Sequence, residues 1–194
     1  MSAQPRPRSV RAGAGAALRV NDPALAWDAV LRLPFGALGV RCDTEAIRQT
    51  EYLDAATPAR SAPAVLAPLV RELQRQLLAY CRDPRVRPDL PLRPAGSAFQ
   101  RRVWGALREI PVGRTLRYGE LARQLGSSAR AVGQACGANP YAPLVPCHRV
   151  VAAHGLGGFA GPTDAAGELL RIKRWLLLHE GALRALQPGL FGHA

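Results

Sequence analysis

One cysteine of this 194-residue chain stands where a thiol could do chemistry. Cys147 lies in the run Pro140-Tyr-Ala-Pro-Leu-Val-Pro146-Cys147-His148-Arg149-Val150-Val151. Three prolines, Pro146 the nearest, stiffen its approach, and Asn139, which precedes Pro140, is pushed out of helical geometry. A rigid, partly buried Cys beside a His and an Arg is the setting that favours a thiolate, the nucleophilic form. Cys42, Cys81 and Cys136 have no adjacent His and read as inert core residues. The cysteines form no CxxC pair and no His stands at zinc-ligand spacing, so reduced thiols are expected and a structural metal is not.

Glu180 is the second residue with chemical content. Leu169, Ile172 and Leu176 recur on one face of the last helical segment, and Glu180 continues that face. A carboxylate there is partly buried and sits at a helix C-terminus, where the macrodipole disfavours negative charge. It needs a cationic or hydrogen-bonding partner. His148 is the candidate, which would give a Cys–His–Glu relay; the competing reading is a helix end frayed into water.

The elements that must hold these groups can be read in outline. Residues 27–54 carry two apolar runs around Pro34-Phe35-Gly36, a hairpin pattern, and a third strand over 46–54. Leu66, Leu69, Val70, Leu73, Leu77 and Tyr80 repeat at helical spacing. Pro84, Pro88, Pro91 and Pro94 then mark a connector that cannot be helix, with a domain boundary near residue 95. Ser97 and Gln100 form a capping box ahead of Phe99, Val103, Trp104, Leu107 and Ile110, and Pro111-Val112-Gly113 ends that helix. A second helix is expected from Thr115 to Gly126, burying Tyr118. A third, capped by Ser127 or Ser128, runs from Ala129 to about Ala138.

Those last two helices around a Gly-containing turn match a helix-turn-helix, a pattern that ordinary helical hairpins share. The third has an unusual surface. Arg130, Gln134 and Gly137 share a face, with Gly133 beside it. Two glycines in one short helix forfeit about 2 kcal/mol of helix propensity. Either a nucleic-acid backbone approaches that bare face or a neighbouring helix packs tightly on it.

Charge favours a polyanion. The chain carries a net charge of +12, almost all of it from arginine, since Lys173 is the only lysine. Residues 96–160 hold eight arginines against two acids, Glu109 and Glu120, so docking is expected there. At 48% apolar content the chain can bury a core, and no apolar run reaches the ~18–20 residues that span a bilayer. No secretion signal is evident. Residues 1–20 read as a mobile tail, and a cytoplasmic protein with no membrane partner is expected.

The quoted blocks together resemble a known family. Ser97-Ala-Phe-Gln100, Val103-Trp104, Ile110-Pro111-Val-Gly113, Tyr118-Gly-Glu-Leu-Ala122, Arg130-Ala-Val-Gly133, Asn139-Pro140, Pro146-Cys-His-Arg-Val-Val151, Gly157-Gly-Phe-Ala-Gly161 and Leu177-Leu-His-Glu-Gly181 look like the methylated-DNA–protein-cysteine methyltransferases. Leu33-Pro-Phe-Gly-Ala-Leu-Gly39 resembles the family's first domain more loosely. The resemblance implies an α/β fold. A small ribonuclease-H-like N-terminal domain would occupy 21–94. A mostly α-helical, winged-helix-like DNA-binding domain with a helix-turn-helix would occupy 95–186, and 187–194 would form a C-terminal tail.

It also implies roles. Double-stranded DNA would be held through its minor groove, Arg130 filling the stack while an O6-alkylguanine is flipped out. Cys147 would attack the alkyl carbon in line. His148, acting through water and oriented by Glu180, would take the thiol proton, Tyr118 would support the departing guanine, and Asn139 would brace the turn. Backbone carbonyls at Cys147 and Val150 would read the guanine amino group. The thioether product has no good leaving group, so a single turnover by a monomer is implied, with no cofactor and no metal. O4-alkylthymine is a second candidate substrate.

Some positions depart from the family pattern. Arg117 replaces a small hydroxyl residue and would add a phosphate contact. Phe159 and Ala160 stand where some relatives carry Tyr and Ser, so contacts to O6 there must come from backbone. Residues 162–167 would lengthen the loop before the last helix. Three rivals stay open: a binding-only homologue, which would lack the nucleophile; a DNA-binding regulator, which would leave the relay unexplained; and a cysteine hydrolase, which would turn over repeatedly.

Overall fold

The computed structural model describes residues 27–157 and 164–183, with side chains from Gly167 onward in the second stretch. Alternating apolar positions build three strands, β1 (Ala29–Leu33), β2 (Gly36–Cys42) and β3 (Ile47–Leu53), joined as an antiparallel sheet in the order β1-β2-β3. The hairpin closes at Leu33↔Gly36 across Pro34-Phe35, as the sequence pattern predicts. Helix α1 (Ala67–Arg82) lays Val70, Leu73, Leu77 and Tyr80 inward, and the proline-rich connector contains no helix.

Helix α2 (Ala98–Glu109) begins at the Ser97–Gln100 capping box, in which each side chain accepts from the other residue's backbone N–H. Two orphan donors are satisfied there at once. The chain after Gly113 differs from expectation. Leu116–Arg117 is a short strand, β4, paired in parallel with β5 (Val150–Val151), and α3 starts only at Tyr118 and runs to Gln124. The cause lies in tertiary structure: β5 follows the Cys147 turn and offers a ladder that a local helical pattern cannot anticipate. Gly126, at φ +60, takes the left-handed turn that redirects the chain into α4 (Ala129–Gly137). Ser128 caps α4 by accepting from the Ala131 N–H.

Helix α5 spans Asp164–His179. The expected long loop over 162–167 is therefore corrected, because Asp164 to Gly167 is already helix; residues 162 and 163 lie outside the described residues. So do both expected tails.

The apolar core is shared across residue 95: Leu38, Leu73, Leu77, Leu107, Leu121 and Ile172 belong to one buried cluster. Polar bonds cross the same line. Thr50 donates through Oγ1 to the Ala142 carbonyl at 2.7 Å and through its N–H to Pro140 at 2.7 Å. No helix among the described residues is long and apolar enough to cross a membrane.

Candidate active site and nucleic-acid interface

The three segments that sequence places far apart meet around Cys147. The cysteine opens a single 3-10 turn, Cys147–Arg149, that leads into β5. Asn139 organises the approach: its Nδ2 donates to the Val145 carbonyl at 2.8 Å, and its Oδ1 accepts from the Tyr141 N–H at 3.0 Å. Its side chain also hydrogen-bonds Cys147. Cys147, Pro146 and Val150 are all buried.

The thiol is more deeply buried than adjacency to charged residues suggests, at 5% exposure. Burial pushes its pKa up, and the Asn139 bond and the Lys173 charge offset that only in part. Burial thus works against the thiolate that adjacency to His148 and Arg149 suggests. Arg149 does not stabilise the sulfur by an ion pair. Its Nε and Nη2 donate to the two carboxylate oxygens of Glu180 at 2.9 and 2.8 Å, and Nη1 donates to the Ile110 carbonyl at 2.7 Å.

Glu180 lies one residue beyond α5, with its side chain fully enclosed. Gly113 makes room for it: a Cβ there would lie 3.1 Å from the Glu180 carbonyl oxygen. Oε1 accepts from the Tyr80 hydroxyl at 2.8 Å and meets His148 Nε2 at 3.0 Å. Burial alone would raise this carboxyl, but the bonds from His148 and Arg149 outweigh it and hold the pKa near 2. The frayed-end reading is excluded.

A carboxylate can only accept, so His148 carries its proton on Nε2 and presents a lone pair at Nδ1. That nitrogen is buried and makes no hydrogen bond among the described residues. Burial lowers the imidazole pKa, outweighing the pull of Glu180, and the ring is neutral at physiological pH. The turn therefore offers a thiol beside a neutral, oriented base.

Two further groups face the sulfur. Tyr118, first residue of α3, is half-buried; burial first, then Cys136 and Cys147, raise its pKa, so it stays a phenol. Lys173 is fully buried, donates to the Val150 carbonyl at 2.7 Å and lies 5.9 Å from the centre of the Tyr118 ring. Burial brings its pKa down to about 8. Phe159 and Ala160 lie outside the described residues.

Sequence reading missed Tyr80, Lys173 and the true partner of Arg149. Lys173 was legible in principle, as a lone lysine four residues after Leu169 on the buried face. Tyr80 looks like any core aromatic, and nothing local marks its hydroxyl.

The second cluster is on the surface. Arg130, Gln134 and Gly137 are exposed on α4, and Arg117 is exposed just before α3. A Cβ at Gly137 would meet nothing within 4 Å, and one at Gly133 would reach only Tyr118 at 4.0 Å. Among the described residues no neighbouring helix occupies the space beside Gly137, so tight helix packing there does not explain that glycine. Among the described residues no three His, Cys, Asp or Glu side chains gather as a metal site.

Comparison with known proteins gives a consistent picture. The family model of the 6-O-methylguanine DNA methyltransferase DNA-binding domain matches residues 98–182. A methylated-DNA–protein-cysteine methyltransferase of Methanosarcina acetivorans is 46% identical over 115 residues, covering 58% of this chain and 69% of the relative. One from Mycolicibacterium paratuberculosis is 50% identical over 102 residues, covering 51% and 62%. The match thus spans less than two thirds of the latter's length. The crystal structure of Mycobacterium tuberculosis O6-methylguanine methyltransferase is similar at TM-score 0.62 and 35% identity, covering 79% of this chain and 91% of that one. A structure of OGT from that organism in complex with DNA gives 0.61 and 35%, with the same coverage.

Proposed function

The chain belongs to the methylated-DNA–protein-cysteine methyltransferase family, and we propose that it repairs DNA by moving the alkyl group of O6-alkylguanine onto Cys147. The observation that carries this reading is the enclosed thiol with a neutral His148 whose Nε2 is fixed on Glu180 and whose Nδ1 is left as acceptor.

In the reaction Cys147 Sγ attacks the alkyl carbon. The S–C bond forms as the C–O6 bond breaks, and the electron pair leaves on the guanine oxygen. The thiol proton passes through a water to Nδ1 of His148, and the resulting imidazolium is balanced by Glu180. Tyr118 donates toward the departing base. A raised thiol pKa suits this sequence, since the proton leaves only when the alkyl carbon is in place. The thioether cannot be displaced under ordinary conditions, so each molecule acts once, without a cofactor.

DNA would dock on α3 and α4, arranged as the helix-turn-helix of a winged-helix-like unit, after a ribonuclease-H-like unit built from β1–β3 and α1. The net charge of +12, exposed Arg130 and Arg117, and the bare glycine face support this interface. The lesion would be flipped out through the minor groove with Arg130 in its place. A monomer suffices, because all of the site residues lie in one chain. The domain division falls near residue 95.

Intact-protein mass after mixing with O6-methylguanine duplex decides the matter. We expect one methyl per chain, mapped to Cys147, and product that plateaus at the amount of protein. Repeated turnover would favour a hydrolase; binding without any mass change would favour a recognition protein.

A further inference from the structure

The residue that completes the Glu180 site comes from outside the stretch that matches the family's DNA-binding domain. Tyr80 is in α1, a hundred residues before Glu180 and well ahead of residue 98. It holds the end of α5 at two points. Its hydroxyl donates to Glu180 Oε1 at 2.8 Å, and its carbonyl accepts from His179 Nε2 at 2.7 Å. The His179 ring stands edge-on to the Tyr80 ring, 5.2 Å between centres, and stacks on Trp175. Two consecutive residues are thereby locked to one tyrosine.

Oε1 of Glu180 takes three donors, from Tyr80, His148 and Arg149, whereas Oε2 takes only Nε of Arg149. Donors on one oxygen compete for its charge. We propose that Tyr80 is a positioning residue of the relay, its two contacts fixing the His179–Glu180 corner and its hydroxyl limiting how strongly Glu180 draws the Nε2 proton of His148. This rests on His148 being the base in the proposed transfer.

The other groups facing the relay are Tyr52 from β3, Cys81 from α1, Cys147 and Arg149 from the 3-10 turn, and Lys173 from α5. Of these, Arg149 bonds to Glu180 through both carboxylate oxygens. A groove of about 550 Å3 has Tyr80, His148, Arg149 and Glu180 in its lining.

The sign follows from the competition. Without the hydroxyl, Oε1 becomes more basic, holds the imidazolium more tightly and raises the His148 pKa. Transfer needs neutral His148, so the acid limb of the pH–rate profile moves up. A stronger donor moves it down.

The test uses the full chain and free O6-benzylguanine, which removes DNA binding from the measurement. Tyr80→Phe keeps the ring and the carbonyl contact. We expect its acid limb to rise by about 0.5–1 pH unit, making transfer about three- to tenfold slower below the limb and near native above it. Site-specific 3,5-difluorotyrosine at position 80, a stronger donor of the same shape, should shift the limb the other way, and it decides the question if Tyr80→Phe does not fold. Superimposable profiles, or a loss in Tyr80→Phe that is uniform with pH, would overturn the proposal. The His148 ring titration, followed by NMR in the same proteins, reads the same shift whether or not transfer occurs. If the native protein fails to alkylate Cys147, it is the proposed function that falls.

Discussion

The Cys147 relay and the outer face of α4 are built on opposite terms. Around Glu180 four bonds from Tyr80, His148 and Arg149 converge on one enclosed carboxylate, and Ile110 takes the remaining arm of Arg149. On α4, Arg130 and Gln134 project into solvent beside two glycines, and among the described residues nothing lies within 4 Å of a Cβ at Gly137. A group that must be ready before its substrate arrives is fixed by the protein itself. The proposed docking surface, which would have to accept a large partner, is left bare, its polar groups free to be satisfied in a complex. The difference teaches where each kind of mutation should register: in the relay on stability and chemistry together, on α4 in partner-dependent steps alone.

The largest effect is expected at the sulfur. Cys147→Ala should abolish transfer entirely while leaving duplex affinity largely unchanged, measured by intact mass and by fluorescence anisotropy. Transfer by this variant would overturn the mechanism.

Glu180→Gln should lower both stability and rate. It leaves Arg149 buried without its counter-charge, a loss of about 3–5 kcal/mol, and chemical denaturation measures it. The same carboxyl makes stability fall in acid. Its folded pKa of about 2 lies below its ordinary value of 4.5, so its contribution is complete above 4.5 and fades as pH falls toward 2. Unchanged stability in Glu180→Gln would show that the four bonds do not act as a clamp.

Arg130→Ala should leave stability within about 0.5 kcal/mol, as for an exposed side chain. It should slow repair of duplex about ten- to hundredfold, the scale of a few kcal/mol for extruding a base, and leave reaction with free O6-benzylguanine nearly native. Equal loss on both substrates would place Arg130 in the service of the fold. Duplex affinity should also fall steeply with salt.

The smallest effect is expected at the cap of α4. Ser128→Ala removes the bond to the Ala131 N–H and should destabilise by about 1 kcal/mol. A larger loss on duplex repair than on free-base repair would show that the cap also orients Arg130.

Sequence by itself determined the pieces whose causes are local. The Pro34-Phe35-Gly36 hairpin, the Ser97–Gln100 box, a cap of α4 at Ser127 or Ser128 and the helical spacing of α1, α2 and α5 are written within a few residues of where they act, because turns, caps and amphipathic periodicity are short-range effects. The His148–Glu180 pairing was also legible, since a buried carboxylate at a helix end demands a partner. Tertiary structure alone decided what depends on groups remote in sequence. Leu116–Arg117 became a strand because Val150–Val151 lies beside it. Arg149 turned to Glu180 rather than to the sulfur because the one buried acid among the described residues is there. The Cys147 pKa is pushed up because enclosure by the fold, which adjacency cannot report, outweighs the Asn139 bond and the Lys173 charge. Tyr80 reached Glu180 because α1 packs into the core that holds α5, a contact made across a hundred residues that leaves no periodic trace in the chain.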